Sequence, residues 1–230
     1  RIHDLTPSED VWVMINREGL VSRTLEDDTP RPSGWDVPDW LIRINTRDTL
    51  YMVTENGEAV AIPVHTIPEA EKPSQGVLFS KLTPLNENQK IGAVFGLPPK
   101  MEREEEWYVI TVTEQSMVKK SEIGELPGPS AQPFTLVKVN EGDRLVSVRL
   151  SNGTKDVFLC TKQGMSIRFS EEDVRPMGLV AAGVNGMKLE KEDSVIGMET
   201  LPRKGSVFLL TSAGRAKRVE QEGFPQQGRY

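Results

Sequence analysis

The side chains that recur at fixed spacing in this 230-residue sequence are cations, and few others are placed for bond-making chemistry. Gly19, Gly57, Gly164 and Gly214, with Ser116 in the same role, mark five corners between short apolar runs. Four residues past each corner stands Arg23, Ala61, Lys120, Arg168 or Arg218, and three residues before it stands Asn16, Thr54, Thr113, Thr161 or Thr211. Lysines and arginines repeated at intervals are suited to neutralising a polyanion, a task that needs no nucleophile. The residues that could do more fall short of a constellation. Cys160 is the sole cysteine and lies inside the apolar run VFLC, where a packed thiol is expected rather than a reactive one. His3 and His65 are too far apart, with one cysteine between them in the inventory, to suggest a metal site. No GxxxxGK[ST] loop, GxGxxG turn, GxSxG elbow or HExxH pair occurs. Catalytic residues, metal ligands and cofactors are therefore all expected to be absent.

The elements that must position the cations are hairpins. Two strand-forming runs joined through a glycine read as a β-hairpin, because glycine takes the positive φ of a tight return. Hairpins are predicted near 11–24, 50–63, 107–121, 156–169 and 206–219, the second with the turn pair Asn56-Gly57. Their spacing of roughly 40 to 50 residues is that of propeller-like arrays. Between them lie further strand candidates at 76–79, 134–139 and 183–189, each followed by a polar turn and a second apolar run at 91–95, 145–150 and 195–198. One repeat thus reads as a hairpin, a polar loop and two more strands, enough for a four-stranded blade. No long helix is expected; Glu171 to Arg175 is the best short candidate, and prolines at 63, 68, 73, 127, 129 and 133 interrupt the linkers. Glu102 to Glu106 reads as a solvated acidic loop, and Trp12, Trp35, Trp40 and Trp107 as packing aromatics.

Composition bounds the class. A hydrophobic fraction of 37% and a mean hydropathy of -0.40 suit a soluble globular chain, and no apolar run approaches the roughly 20 residues needed to span a bilayer. The amino end does not resemble a signal peptide, and one cysteine excludes an internal disulfide, so a cytoplasmic setting without membrane contact is expected. The net charge of -6 is unevenly placed. Residues 1–110 hold 11 Lys and Arg against 19 Asp and Glu, whereas residues 111–230 hold 17 against 15. A polyanion is expected on the second half.

Longer stretches carry a resemblance. DVWVMINREGLVSRT, NTRDTLYMVTENGEAVAIPVHTIPEA, DVFLCTKQGMSIRFSEEDVRPMGLVAAGVNGMKL and FLLTSAGRAKR resemble repeats of the carboxy-terminal domain in the A subunit of DNA gyrase or of its topoisomerase IV counterpart. The resemblance runs from about Asp10 to the end and is most specific over Ser170 to Leu189. It implies an all-β fold, the β-pinwheel: a propeller-like disc of four-stranded antiparallel blades, here about five repeats with the last incomplete. Residues 1–230 would form a single domain, a fragment of a longer subunit. The implied function is non-catalytic binding, bending and wrapping of double-stranded DNA for a bacterial type IIA topoisomerase, gyrase first, which changes DNA topology with ATP. The implied partners are DNA, the ATPase B subunit of the enzyme, together with the rest of its A subunit.

On this resemblance the DNA-facing rim would comprise Arg23, Lys120, Arg168 and Arg218, supported by Lys119, Lys162, Arg175, Lys188, Arg215 and Lys217. Tyr230 is not the DNA-cleaving tyrosine of such enzymes, which belongs to another domain. Gyrase members carry a QRRGGKG-like box after the first hairpin, where residues 25–35 here read LEDDTPRPSGW. Two alternatives follow from that acidic loop: a topoisomerase IV-type domain that selects substrate with weak bending, or a propeller-like protein-interaction module.

Overall fold

The computed structural model describes residues 5–31, 33–103, 106–202 and 204–230. Among them, 17 strands form five small antiparallel sheets. All five expected hairpins are present: β1 (Asp10–Asn16) with β2 (Leu20–Arg23), β4 (Thr49–Thr54) with β5 (Glu58–Pro63), β8 (Tyr108–Thr113) with β9 (Met117–Glu122), β12 (Asp156–Thr161) with β13 (Ser166–Ser170), and β16 (Ser206–Leu210) with β17 (Ala216–Glu220).

The corner chemistry explains the residues that recur there. Gly164 sits at φ 85°, a left-handed conformation open to glycine without steric penalty, and Ser116 holds φ 69° in the same place. At four of the five corners the residue three before closes the loop with its side chain; Thr54 Oγ1 is buried without a hydrogen-bond partner among the described residues. Asn16 Oδ1 accepts from the N–H of Leu20, and Thr113, Thr161 and Thr211 Oγ1 accept from the N–H of Met117, Met165 and Arg215. A short polar side chain that can bond backbone a few residues on is what such a turn selects.

The expectation that one repeat builds one blade is corrected. In the first sheet, β3 (Pro38–Asn45) flanks β1, but β2 pairs with β6 (Val77–Leu78), which follows the second hairpin. The second sheet has β7 (Ile91–Leu97) beside β4, and β5 pairs with β10 (Phe134–Thr135), which follows the third hairpin. The third has β11 (Leu145–Ser151) beside β8, and β9 pairs with β14 (Val184–Asn185), which follows the fourth. Each of these blades takes its fourth strand from the next repeat, because the chain makes a 3-10 turn after the hairpin and crosses back. The fourth sheet, β13-β12-β15 with β15 at Val195–Leu201, has three strands, and the fifth has two.

Other local differences have plain causes. β3, the eight-residue edge strand, was not expected, since its Trp40-Leu41-Ile42 core is set among prolines and charges. Where a strand was expected to reach Phe79, a single helical turn α1 (Phe79–Leu82) takes over, with Phe79 buried. The helix candidate at Glu171 is a three-residue 3-10 turn, Glu171–Asp173, capped by Ser170 Oγ accepting from the N–H of Glu172. His3, Glu104 and Glu105 lie outside the described residues.

The chain divides into two compact units, Arg1–Glu105 with Gly124–Leu136, and Glu106–Ile123 with Val137–Tyr230. In the first, strand β4 is buried on both faces, as its continuous apolar run demands. Its Tyr51 stacks on Phe95 with ring centroids 4.9 Å apart and meets Phe134 edge-on. The second packs Ile110, Val112, Leu159, Phe169 and Met198 in one core cluster, and Phe158 against Phe224 in another. Burying an apolar side chain of this size stabilises by about 1.5–3 kcal/mol. No helix among the described residues is long and apolar enough to cross a membrane.

Candidate nucleic-acid interface

The recurring cation four residues past the corner lies on the second strand of its hairpin, where the crossing segment of the next repeat passes. Arg23 exchanges backbone hydrogen bonds with that segment: its N–H donates to Pro68 O, and its carbonyl accepts from Ala70. The guanidinium adds Nε to Ile67 O at 3.0 Å and an ion pair with Glu69 at 2.8 Å. Arg168 repeats the arrangement: its carbonyl accepts from Gln227, Nη1 donates to Gln221 O at 2.8 Å and to Phe224 O at 3.3 Å, and Nε pairs with Asp156 at 2.7 Å. Lys120 accepts from Met177 through its carbonyl and sends Nζ to Glu171 O at 3.2 Å and Glu171 Oε2 at 3.4 Å. Its ammonium also stands 4.4 Å from the Tyr108 ring centroid. The repeated feature is thus a clamp: a charged donor on one strand satisfies carbonyls of the turn that brings in the next strand, bonds worth about 1.5–3 kcal/mol each.

Two expected rim residues are corrected outright. Lys119 is fully buried, with Nζ donating to Leu179 O at 2.7 Å and Gly178 O at 3.3 Å. Lys120 is 5% exposed. Segment 171–179 covers both side chains, so neither ammonium is available to a phosphate. Arg23 and Arg168 are half-buried and committed to carboxylates. The remaining six, Lys162, Arg175, Lys188, Arg215, Lys217 and Arg218, are exposed. All six belong to the second unit, and none of their side chains has a hydrogen-bond or ion-pair partner among the described residues. Lys217 and Arg218 lie in β17 opposite Leu209 and Phe208. Arg218 holds the clamp position, but no crossing segment reaches it among the described residues.

Local electrostatics fixes the loops that carry these cations. Asp193 Oδ1 accepts from the N–H of Gln163 at 3.0 Å and of Ser194 at 2.8 Å, pinning the corner that bears Lys162. Desolvation pushes the Asp193 carboxyl up, but hydrogen bonds from Thr161, Gln163 and Ser194, with the charge of Lys162, together hold it below the ordinary carboxylate value. Asp143 Oδ1 pins the third corner by accepting from the N–H of Gln115 at 3.0 Å. Cys160 has its thiol pushed up by burial first and by Glu199 second, as an inert packed cysteine requires. No group of three His, Cys, Asp or Glu side chains that could hold a metal occurs among the described residues.

A second recurring cation was missed. The N–H groups of Phe79, Leu136 and Gly186 donate to the corner carbonyls of Gly19, Gly57 and Ser116. Two residues beyond each stands a lysine, Lys81, Lys138 or Lys188, and all three are exposed. Only Lys188 was anticipated. The signal was present in the polar turns Asn140 to Asp143 and Glu190 to Asp193, which put Lys138 and Lys188 in register.

The acidic loop after the first hairpin behaves as its composition suggests. Glu26 and Asp28 line a cavity of about 480 Å³ together with Glu69 and Glu71, a field that repels phosphate. Arg43 offsets part of it, through ion pairs of 2.5 Å to Asp27 and 2.8 Å to Asp10. Its guanidinium holds the Asp27 carboxyl below the ordinary value, chiefly by the hydrogen bond. The first unit holds 11 Lys and Arg against 19 Asp and Glu, the second 17 against 15.

Comparison with known proteins follows the same repeats. A family model described as DNA gyrase C-terminal domain, beta-propeller, matches residues 108–152, 155–202 and 205–230. The chain is 32% identical to the DNA gyrase A subunit of Klebsiella oxytoca over 99% of its own length and 27% of that protein's. It is 29% identical to the DNA topoisomerase 4 A subunit of Bacillus subtilis over 98% of its length and 28% of that protein's. It therefore spans little more than a quarter of these relatives. Among solved structures, the C-terminal domain of DNA topoisomerase IV superposes with a TM-score of 0.79 at 26% identity, covering 97% of this chain and 71% of that one. The C-terminal domain of DNA gyrase A shares the fold, with a TM-score of 0.79 at 20% identity over 96% of this chain and 75% of that one. Four antiparallel blades with a fifth small sheet, and a family match that follows the third, fourth and fifth repeats, place the chain in the family of C-terminal β-propeller domains of DNA gyrase A and topoisomerase IV A.

Proposed function

We propose that this domain binds double-stranded DNA and bends it, as a non-catalytic part of the A subunit of a bacterial type IIA topoisomerase in the cytoplasm. Its partners on this reading are DNA, the ATP-hydrolysing B subunit, together with the remainder of the A subunit. The observation that carries the proposal is that six of the expected cations, all in the second unit, are exposed and form no ion pair within 4.0 Å among the described residues. Four acids of the same unit are ion-paired, Glu114 with Arg144, Glu199 with Arg149, Asp156 with Arg168 and Glu171 with Lys120, while others such as Glu172, Asp173 and Glu190 are exposed. Unpaired surface cations on blades can neutralise phosphates without reading bases, so sequence preference would come from bendability.

The acidic cavity of the first unit favours a bend carried by the second unit alone, closer to topoisomerase IV-type substrate selection than to a full gyrase wrap. A mobility-shift titration of the domain on a duplex of ~200 base pairs tests the reading. Six neutralised phosphates give a slope of log K against log salt of about -5, an affinity loss on the order of 10³ between 50 and 200 mM salt. Absence of binding at 50 mM salt would reject it. Ligase-mediated circularisation of short duplexes then separates weak bending from wrapping.

A further inference from the structure

The first unit is acidic overall, yet one of its cavities, about 460 Å³ in volume, is walled by bases. Arg47, Lys100, Arg103 and His65 line it, with Asp48 as the one carboxylate among the described lining residues. Burial first, then Glu102 and Asp10, push the Asp48 carboxyl up, opposed by the N–H of Asn45, which its Oδ2 accepts at 3.2 Å, and by the charge of Arg103. Arg47 is anchored through Nε to Thr6 O at 2.8 Å, which fixes the guanidinium while its terminal nitrogens have no acceptor among the described residues. Arg103 is held by Nε to Pro98 O at 2.9 Å and Nη2 to Tyr51 Oη at 3.0 Å, and the tyrosine in turn donates to Pro127 O at 2.7 Å. Arg103 Nη1 is enclosed without a hydrogen-bond acceptor among the described residues, which leaves one donor of the guanidinium unused. Like charges gathered around one space raise its potential and favour an anion within it. The lining surface is mostly apolar, and Pro63, Pro99 and Pro129 contribute to it. A volume of this size lies in the range of small-molecule sites.

We propose that this cavity binds a small phosphorylated ring compound of nucleotide size, its anionic head between Arg47 and Lys100 in the field of Arg103 and its ring against the prolines. The proposal does not depend on DNA binding by the second unit. Calorimetric titration of the whole chain with ADP, with inorganic phosphate and with adenosine tests it. ADP should bind saturably with one site, and phosphate and adenosine at least tenfold more weakly, since each offers half of the contacts. The pair Arg47→Glu and Lys100→Glu should weaken ADP at least tenfold with an unchanged melting temperature. If that pair melts early, Lys100→Ala, an exposed truncation, carries the same comparison with a loss of at least threefold. No saturation with ADP at millimolar concentration, equal affinity for ADP and phosphate, or full binding by the variants would overturn it.

Discussion

Replacing Lys120 by Met separates a clamp from a phosphate contact, because the two roles move different observables. The side chain of Lys120 is 6% exposed and that of Glu171 is fully buried, so the pair is screened little by solvent. Lys120→Met removes the ion pair at 3.4 Å, the hydrogen bond to Glu171 O and the contact with the Tyr108 ring. Glu171 keeps Ser151 Oγ and the N–H of Lys155 as donors, so its carboxylate is not stranded entirely. Both retained donors serve Oε1 and Oε2 loses its ion-pair partner, so the expected loss is that of breaking a buried pair from one side, about 3–5 kcal/mol. Urea unfolding followed by circular dichroism should show that loss, and hydrogen exchange at the Met177 amide, which bonds Lys120 O, should speed up. Adding Glu171→Gln should return part of the stability, since no buried charge is then left unpaired. DNA affinity measured below the unfolding transition should be unchanged. A variant of unaltered stability whose DNA affinity falls several-fold would refute the clamp and restore Lys120 to the rim.

Two further expectations concern the turns. Gly183 adopts φ 96°, and a Cβ there would run into the Val118 carbonyl; Gly183→Ala should detach β14 and cost more than ~2 kcal/mol, whereas Gly164→Ala, with open space around it, should cost only the roughly 1 kcal/mol of its backbone strain. Urea midpoints of the two variants compare them directly, and equal losses would contradict the close approach of β14. Asp193 has a folded pKa below its ordinary value, so its stabilising contribution is present above the unfolded value and disappears as pH falls through the folded one. Asp193→Asn should therefore lower stability at pH 7 and make no difference near pH 2; a penalty that persists in acid would point to lost packing instead.

How much of this was legible depends on how local each feature is. Corners were readable because glycine or serine, with Asn or Thr three residues earlier, completes its hydrogen bonds within five residues, as at Thr161 and Met165. The crossing strands were located but not assigned, since two-residue strands such as Val77–Leu78 or Val184–Asn185 have no periodicity from which a partner could be inferred. The cation register was legible as a pattern, and the contacts that Arg23, Lys120 and Arg168 make with the crossing segments were not. Arg168 meets Gln221 and Phe224 more than fifty positions away, a contact invisible to spacing along the chain. Lys119 was misjudged because β9 is covered on both faces, which a strand reading MVKKSE does not announce. The exposed cations Lys162, Arg175 and Lys188 needed no such partner, and their exposure agrees with the composition of the second half.

The most direct measurement is the DNA affinity of a domain carrying Lys162→Glu, Lys188→Glu and Arg218→Glu together, set against the unaltered domain across the same salt series. All three side chains are exposed, so the melting temperature should hold. Reversing three of six contacts should lower affinity by a factor of at least ~10² at 100 mM salt and reduce the salt slope by about 3. Unchanged affinity and slope would contradict the claim that the exposed cations of the second unit form the DNA surface.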